Sequence, residues 1–208
     1  DSENYEPSIS SSDSDVVTLT ETPGDSGDEV GTWAEAVSTV NADNAYENIY
    51  VESGTYNVDG DVGTISADHS VTISGESPDE VTLNEDGAVM ESTTLLRVDK
   101  ANDVIVEGLT IKGLFQRDGA NAISIFNADS ATVRNSKFEG VLEEGNDQGE
   151  WSTTAVLVTD TADIDIKNNY VDVNSLVLGI AFGEYEGDVG SVNVSGNQVK
   201  AGTGIWDL

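Results

Sequence analysis

The sequence predicts an all-β fold: a right-handed, single-stranded parallel β-helix, or solenoid, with a short N-terminal capping α-helix. Three observations carry that expectation. The first is a repeat between Leu95 and Leu208, whose second half reads DVIVEGLTIKG (103–113), SATVRNSKFEG (130–140), DIDIKNNYVDV (163–173) and GSVNVSGNQVK (190–200). Its anchors Val106, Val133, Ile166 and Val194 are 27, 33 and 28 residues apart, and a period of that size marks one turn of a solenoid per copy. The second is alternation within each run. Leu96/Val98, Ile123/Ile125, Val156/Val158, Ile180/Phe182 and Ile205 precede the anchors, and Ile111, Phe138, Val171 and Val199 follow five residues after them. A period of two means a strand with one buried face. The third is a corner: Gly108, Asn135, Asn168 and Gly196 recur at one place in the repeat. Gly and Asn are the residues that tolerate the left-handed backbone a sharp corner demands. An antiparallel sandwich also has many short strands, but it does not repeat one corner residue in register.

Each turn is expected to lay down three short strands, stacked on the next turn at roughly 4.8 Å. Inward Val, Ile, Leu and Phe then form an apolar column that no single turn could bury alone.

In chain order, residues 1–29 are rich in Ser, Asp, Glu, Thr, Gly and Pro, the composition of an acidic arm or linker. Within them Val16–Thr20 is a candidate short strand, placed on its own body or on a neighbouring subunit's sheet edge. Residues 30–208 form the β-helix domain. Thr32-Trp33-Ala34-Glu35 is a capping box, and Trp33, Ala36, Val37 and Val40 keep helical spacing behind it. A short amphipathic helix there plugs the open end of a solenoid, with Trp33 in the packing. Val71–Gly75 and Val81–Leu83 read as further strands of the early turns. At the other end, Gly204-Ile205-Trp206 opens a turn that stops at Leu208. An unpaired apolar edge is expected there, covered by continued chain or by another molecule.

Length and charge bound the function. At 208 residues the chain builds one sizeable core and needs no second domain. It carries 40 acidic against 8 basic residues, a formal net charge of −32. Self-repulsion of that size strains a fold in dilute buffer. In molar salt the Debye length falls to roughly 3 Å and the repulsion is screened. The acids lie on outward strand positions and in loops, which suits a salt-loving archaeon or one of its viruses. A calcium- or mineral-binding surface is the other reading of such charge, and the apolar periodicity excludes disorder for most of the chain. Eight scattered cations cannot make a phosphate-neutralising stripe, so nucleic acid is not an expected partner. No run approaches the 18 apolar residues of a membrane span. The absence of cysteine leaves the redox compartment open. Because the chain starts at Asp1, a processed product with a removed export signal is expected, located outside the cell, on its surface or on a virion.

The strand Ile49–Tyr56, ending in Gly54-Thr55-Tyr56 after the capping helix, resembles the N-terminal part of the pectate-lyase-like β-helix superfamily. The likeness runs from Thr32 to the end, about 85% of the chain. It implies architecture more than activity, because that fold hosts lyases, hydrolases, adhesins and virus tailspikes. The superfamily's galacturonan hydrolases are similar to one another in a paired-aspartate strand motif, a Gly-His-Gly and an Arg-x-Lys, none of which this chain contains. Its one histidine, His69, sits in a turn before a strand and reads as an exposed surface residue. The lyases need a basic residue beside a uronate carboxylate, usually with calcium held by acids. Arg97, Lys100, Lys112, Arg117, Arg134, Lys137, Lys167 and Lys200 show no matching motif.

Candidate sites therefore come from position. The loops GLFQRDGAN (113–121) and EGVLEEGNDQGEWSTT (139–154) leave the solenoid at one corner on successive turns, so they are expected to be neighbours. Insertions on one side are where repeat proteins place binding function. Phe115, Gln116, Arg117 and Trp151 offer an aromatic and cationic spot suited to a carbohydrate or a partner protein's side chains, unless the aromatics fold back on the sheet. A separate loop, GEYEGD (183–188), emerges at another corner. Asp59 and Asp61, and Glu143, Glu144 and Asp147, are oxygen-rich enough for calcium but lack EF-hand spacing. Asn193-Val194-Ser195 is the one N-glycosylation sequon, with Asn193 facing outward between Val192 and Val194.

The reading is a non-catalytic, extracellular structural or recognition module, self-assembling as a homo-oligomer, with no cofactor beyond high monovalent salt. The alternative is a secreted polysaccharide lyase or glycoside hydrolase using Arg117 or Lys112 with neighbouring acids.

Overall fold

The computed structural model describes residues 9–11, 17–20, 28–30, 33–42, 47–58, 64–85, 96–115, 121–142, 154–173, 178–183 and 189–207. The acidic arm contributes β1 (Ile9–Ser11), β2 (Val17–Thr20) and β3 (Asp28–Val30). Helix α1 (Trp33–Ala42) follows, then β4 (Asn48–Val51), β5 (Gly54–Val58), β6 (Thr64–Ile65), β7 (Val71–Gly75) and β8 (Val81–Glu85). The repeats supply β9 (Leu96–Glu107), β10 (Thr110–Phe115), β11 (Asn121–Arg134), β12 (Lys137–Leu142), β13 (Thr154–Thr159) and β14 (Asp163–Lys167). They end with β15 (Tyr170–Val173), β16 (Leu178–Gly183), β17 (Ser191–Ser195), β18 (Gln198–Lys200) and β19 (Thr203–Asp207).

Apart from α1 the described chain is all-β, and pairing is parallel throughout the repeats. A 7-stranded sheet has the order β1-β5-β8-β10-β12-β15-β18. A 12-stranded sheet has the main order β19-β16-β13-β11-β9-β7-β4-β2-β3, with β6, β14 and β17 beside it. The chain alternates between the two sheets and lands one strand further along each time. Strand β2 pairs antiparallel with β3 and β4, and β1 pairs antiparallel with β5, so the arm adds to the chain's own first strands.

Register follows the apolar pattern. Val106, Val133, Ile166 and Val194 are direct cross-strand partners, with Ile73 ahead of them. Leu83, Ile111, Phe138, Val171 and Val199 form the matching column in the other sheet. Leu96, Ile123, Val156, Ile180 and Ile205 form a third. A one-residue slip would turn every one of these side chains to the other face, so burial enforces the register. All are buried except those on the last strands, where Val194 and Val199 are half-buried and Ile205 is exposed. Each buried aliphatic contributes about 1.5–3 kcal/mol relative to exposure.

The corner residues take the conformation their types suggest. Gly108, Asn135, Asn168 and Gly196 have φ of 71, 51, 57 and 66°. At Gly108 there is a second constraint, since a Cβ would run into the carbonyl oxygen of Gly75. Sequence reading missed a second left-handed series, Lys100, Asn127 and Asp160, at φ of 71, 53 and 51°. Two of these lie inside β9 and β11, each of which joins two of the expected short strands into one continuous strand. Lysine and aspartate at such a corner carry no glycine signal, and Asn127 had no glycine partner to mark it.

Behind the first corner runs a buried polar ladder. The Ser136 hydroxyl lies 3.4 Å from the Leu109 amide, Asn169 Oδ1 accepts from the Ser136 amide at 3.0 Å, and Asn197 Oδ1 accepts from the Asn169 amide at 2.9 Å. The Asn169 and Asn197 amide groups also donate to the carbonyls of Val133 and Ile166, at 2.8 and 2.7 Å. These side chains satisfy backbone groups that the corner removes from the sheet ladders. Helix α1 buries Ala36, Val37 and Val40 and lies against β2, β3 and β6. Asn41 ties it down, donating to the Thr64 carbonyl at 2.9 Å and accepting from the Ser66 amide at 2.8 Å.

Two substitutions separate satisfied from unsatisfied buried polarity. Asn169→Ala strands the Ser136 amide and the Val133 carbonyl, and is expected to lower unfolding free energy by about 3 kcal/mol. Thr159 is buried and its hydroxyl has no hydrogen-bond partner among the described residues. Thr159→Val should therefore leave stability unchanged or raise it by about 1 kcal/mol. Denaturant titration of both variants in molar salt measures the contrast.

Candidate functional site

Outward positions of stacked strands also fall in columns, about 4.8 Å apart from strand to strand. Like charges directly opposite one another destabilise a sheet, and the chain breaks up its acids accordingly. Ser70, Asp103, Ser130, Asp163 and Ser191 form one column, in which serine and aspartate alternate. Asp103 accepts from Ser70 at 3.0 Å and Ser130 at 2.7 Å, and Asp163 accepts from Ser191 at 2.6 Å.

The cations are placed by the same logic. All seven described lysines and arginines make ion pairs: Arg97 with Asp99, Lys100 with Asp68, Lys112 with Glu139, Arg134 with Glu107, Lys137 with Asp79, Lys167 with Asp165, and Lys200 with Asp172. Arg134–Glu107, Lys112–Glu139 and Lys200–Asp172 join direct cross-strand partners, at 2.5, 3.2 and 2.8 Å. Hydrogen bonding to its carboxylate holds each of Lys100, Arg134 and Lys200 above its ordinary pKa. The partner carboxyls of Asp68 and Asp172 are held below theirs, first by the hydrogen bonds from Lys100 and Lys200. Ion pairing of this kind stabilises the protonated cation and moves it away from service as a general base. Lys112, named above as a candidate base, is bound to Glu139. Arg97 additionally sits 5.0 Å from the centre of the Phe126 ring, an exposed cation–π contact that no motif announced.

The two insertion loops are anchored as neighbours. Phe115, at the end of β10, pairs with Leu142 at the end of β12, and Asn121 pairs with Thr154 where the chain returns. Residues 113–115 and 139–142 continue the strands, so both loops begin later than their sequences suggest. Gln116, Arg117 and Trp151 lie outside the described residues, as does 184–188 of the other loop. Beside the return point, β11 and β13 depart from the half-buried pattern. Ala122 and Ser124 are buried along with Ile123 and Ile125, and Ala155 along with Val156. The sheet is covered on both faces there.

Asp59, Asp61, Glu143, Glu144 and Asp147 also lie outside the described residues. Among the described residues no group of three or more His, Asp or Glu is arranged to hold a metal. His69 is half-buried rather than exposed, in the bend before β7, where its carbonyl accepts from the Asn102 amide at 3.1 Å. Asn193 is exposed on β17, and its amide donates to Asp165 at 2.9 Å. No described helix is long and apolar enough to cross a membrane.

One concavity among the described residues lies at the C-terminal end. A groove of about 490 Å³ is lined by Phe182, Val189, Val192 and Val194, with Gly183, Gly190 and Asp207 at its margins. It opens because β17, β18 and β19 each have a sheet neighbour on one side only. Val192 is 39% and Ile205 50% exposed, whereas their partners Ile164 and Ile180 are buried. Sequence reading expected an apolar edge here, covered by continued chain or another molecule, without indicating that Val192 and Ile205 are the exposed positions.

Compared with known proteins, the chain matches no family model, no curated protein and no solved structure.

The Asp172–Lys200 pair gives the pH test. Asp172 has a depressed folded pKa, so its contribution is present above the unfolded carboxylate value and is lost as pH falls through the folded one. Lys200 has a raised folded pKa, so its contribution is present below the unfolded lysine value and is lost as pH rises through the folded one. Carboxyl-detected NMR titration should place the Asp172 midpoint below that of an isolated aspartate, and Lys200→Met should move it upward.

Proposed function

We propose that the two sheets are faces of one right-handed parallel β-helix, and that it serves as a non-catalytic structural or recognition module. The strand-over-strand return in both sheets supports the winding, and parallel crossovers are right-handed in about 98% of cases. The module belongs outside a salt-loving cell, on its surface or on a virion, and assembles with copies of itself. A carbohydrate or surface protein meets the side that carries the 116–120 and 143–153 loops.

The observation that carries the non-catalytic reading is the pairing of every described cation with a carboxylate. Proton abstraction beside a uronate carboxylate needs a base that can shed its own proton, and the hydrogen bonds that hold Lys100, Arg134 and Lys200 protonated oppose that. Support for high salt comes from the net charge of −32, which remains after all eight cations are set against the 40 acids. An exported protein of this kind also makes Asn193 accessible to N-glycosylation.

Two outcomes are expected. Polysaccharide-cleavage assays in molar salt should give no turnover; robust turnover lost on Arg117→Ala would overturn the reading in favour of a carbohydrate-active enzyme. On dialysis from about 1 M to 0.1 M salt the Debye length grows from roughly 3 to 10 Å. The melting temperature followed by circular dichroism should fall by about 10 °C or more across that range. An unchanged melting temperature would remove the support for a high-salt habitat.

A further inference from the structure

We propose that Asn193 is an N-glycan acceptor and that its sugar stands on the outward face of β14 and β17. The proposal rests on the extracellular reading above and fixes a covalent site within it.

A sequon is only three residues long, so its placement decides whether it can be used. Asn193 and Ser195 are two apart on β17 and point the same way, with Val194 between them turned to the interior. Both are exposed, whereas Val194 is half-buried. A register shifted by one residue would turn the asparagine and the serine to the core instead. Openness on this side does not depend on β17 having a single neighbour. Asn193 ends the outward column Thr72, Ile105, Thr132 and Asp165, whose members lie between strands on both sides and are still half-open to water.

The surroundings leave room for a sugar. Ser191 and Ser195 flank Asn193 on its own strand, and Asp165 is its partner on β14. The amide is already aimed outward. Its Nδ2 donates to Asp165 Oδ1 at 2.9 Å, and Lys167 donates to the other oxygen of the same carboxylate. An amide nitrogen carries two hydrogens, so replacing one by a sugar carbon leaves the other for Asp165. The donor class is a lipid-linked sugar phosphate. Nδ2 bonds to the sugar's C1, the bond from C1 to the phosphate oxygen breaks, and the lipid phosphate departs. The proton leaves Nδ2 for a base on the transferase. Sugar also suits the chemistry of this face. Across the stacked segments 103–107, 130–134, 163–167 and 191–195 the charges are Asp103, Glu107, Asp163 and Asp165 against Arg134 and Lys167. Neutral sugar hydroxyls supply donors to carboxylates without adding charge.

The test exports the chain from an N-glycosylating archaeal host behind that host's own signal. Trypsin releases residues 168–200 as one peptide, which fragmentation mass spectrometry reads. A sugar chain on Asn193 is expected, with an intact mass above 21.9 kDa. Asn193→Gln and Ser195→Ala should each lose it completely, and Ser195→Thr should keep it. Both positions are exposed, so far-UV circular dichroism should be unchanged; Ser195→Ala serves alone if Asn193→Gln does not reach the medium. A bare Asn193 on the exported chain, beside a glycosylated surface protein of the same host, overturns the proposal. A sugar that persists in Asn193→Gln sits on another residue and overturns it too. Because export is imposed, a bare site leaves the extracellular reading standing. Polysaccharide cleavage by the glycosylated chain would instead remove the non-catalytic role and leave this site standing.

Discussion

Everything in this structure depends on apolar side chains from successive repeats lying directly over one another. Val106, Val133 and Ile166 are cross-strand partners and are buried, and no one repeat could hide its own member of that column. The gain is shared between neighbours, as in any stacked array. It requires each repeat to return to the same register, and that requirement falls on the corners. Left-handed residues at Gly108, Asn135, Asn168 and Gly196 turn the chain at the same point each time. Ser136, Asn169 and Asn197 then satisfy the backbone groups that the turn exposes to the interior.

The same stacking that builds the core governs the surface. Strand spacing brings outward residues of neighbouring repeats as close as inward ones, so a uniform coat of carboxylates would be costly along every column. The chain meets this with serine between aspartates in the column from Ser70 to Ser191, and with lysine or arginine beside glutamate and aspartate elsewhere. Seven of the eight cations are thereby committed to pairs in or near the sheets. The remaining negative charge is left to solvent and salt. Surface pairs of this kind contribute little stability individually; their value is in relieving repulsion inside the columns.

The two ends of the stack differ. At the N-terminal end the arm supplies antiparallel β1 and β2, and α1 covers Ile65's neighbourhood through Asn41, Ala36 and Val40. At the C-terminal end Val192 and Ile205 meet water.

The sequence by itself determined the strand positions, the inward columns, the first corner series and the helix, because each is written as a local period or a residue with special backbone freedom. The apolar pairs Leu96/Val98 and Ile123/Ile125 predicted their own partners before any coordinates. Other features were decided only by tertiary structure. The left-handed Lys100 occupies its corner because the stacked strands on either side impose it, while Asn127 and Asp160 are types that tolerate that backbone but recur with no glycine to mark the position in the sequence. Burial of Ala122 and Ser124 on the second face of β11 is invisible to a period-two reading, which assumes one wet side. Ion pairing was hidden as well, since Arg134 and Glu107 are 27 residues apart and become neighbours only when one repeat lies on the next. Local patterns specify which face of a strand is dry; only the assembled stack specifies which side chains then face each other across it.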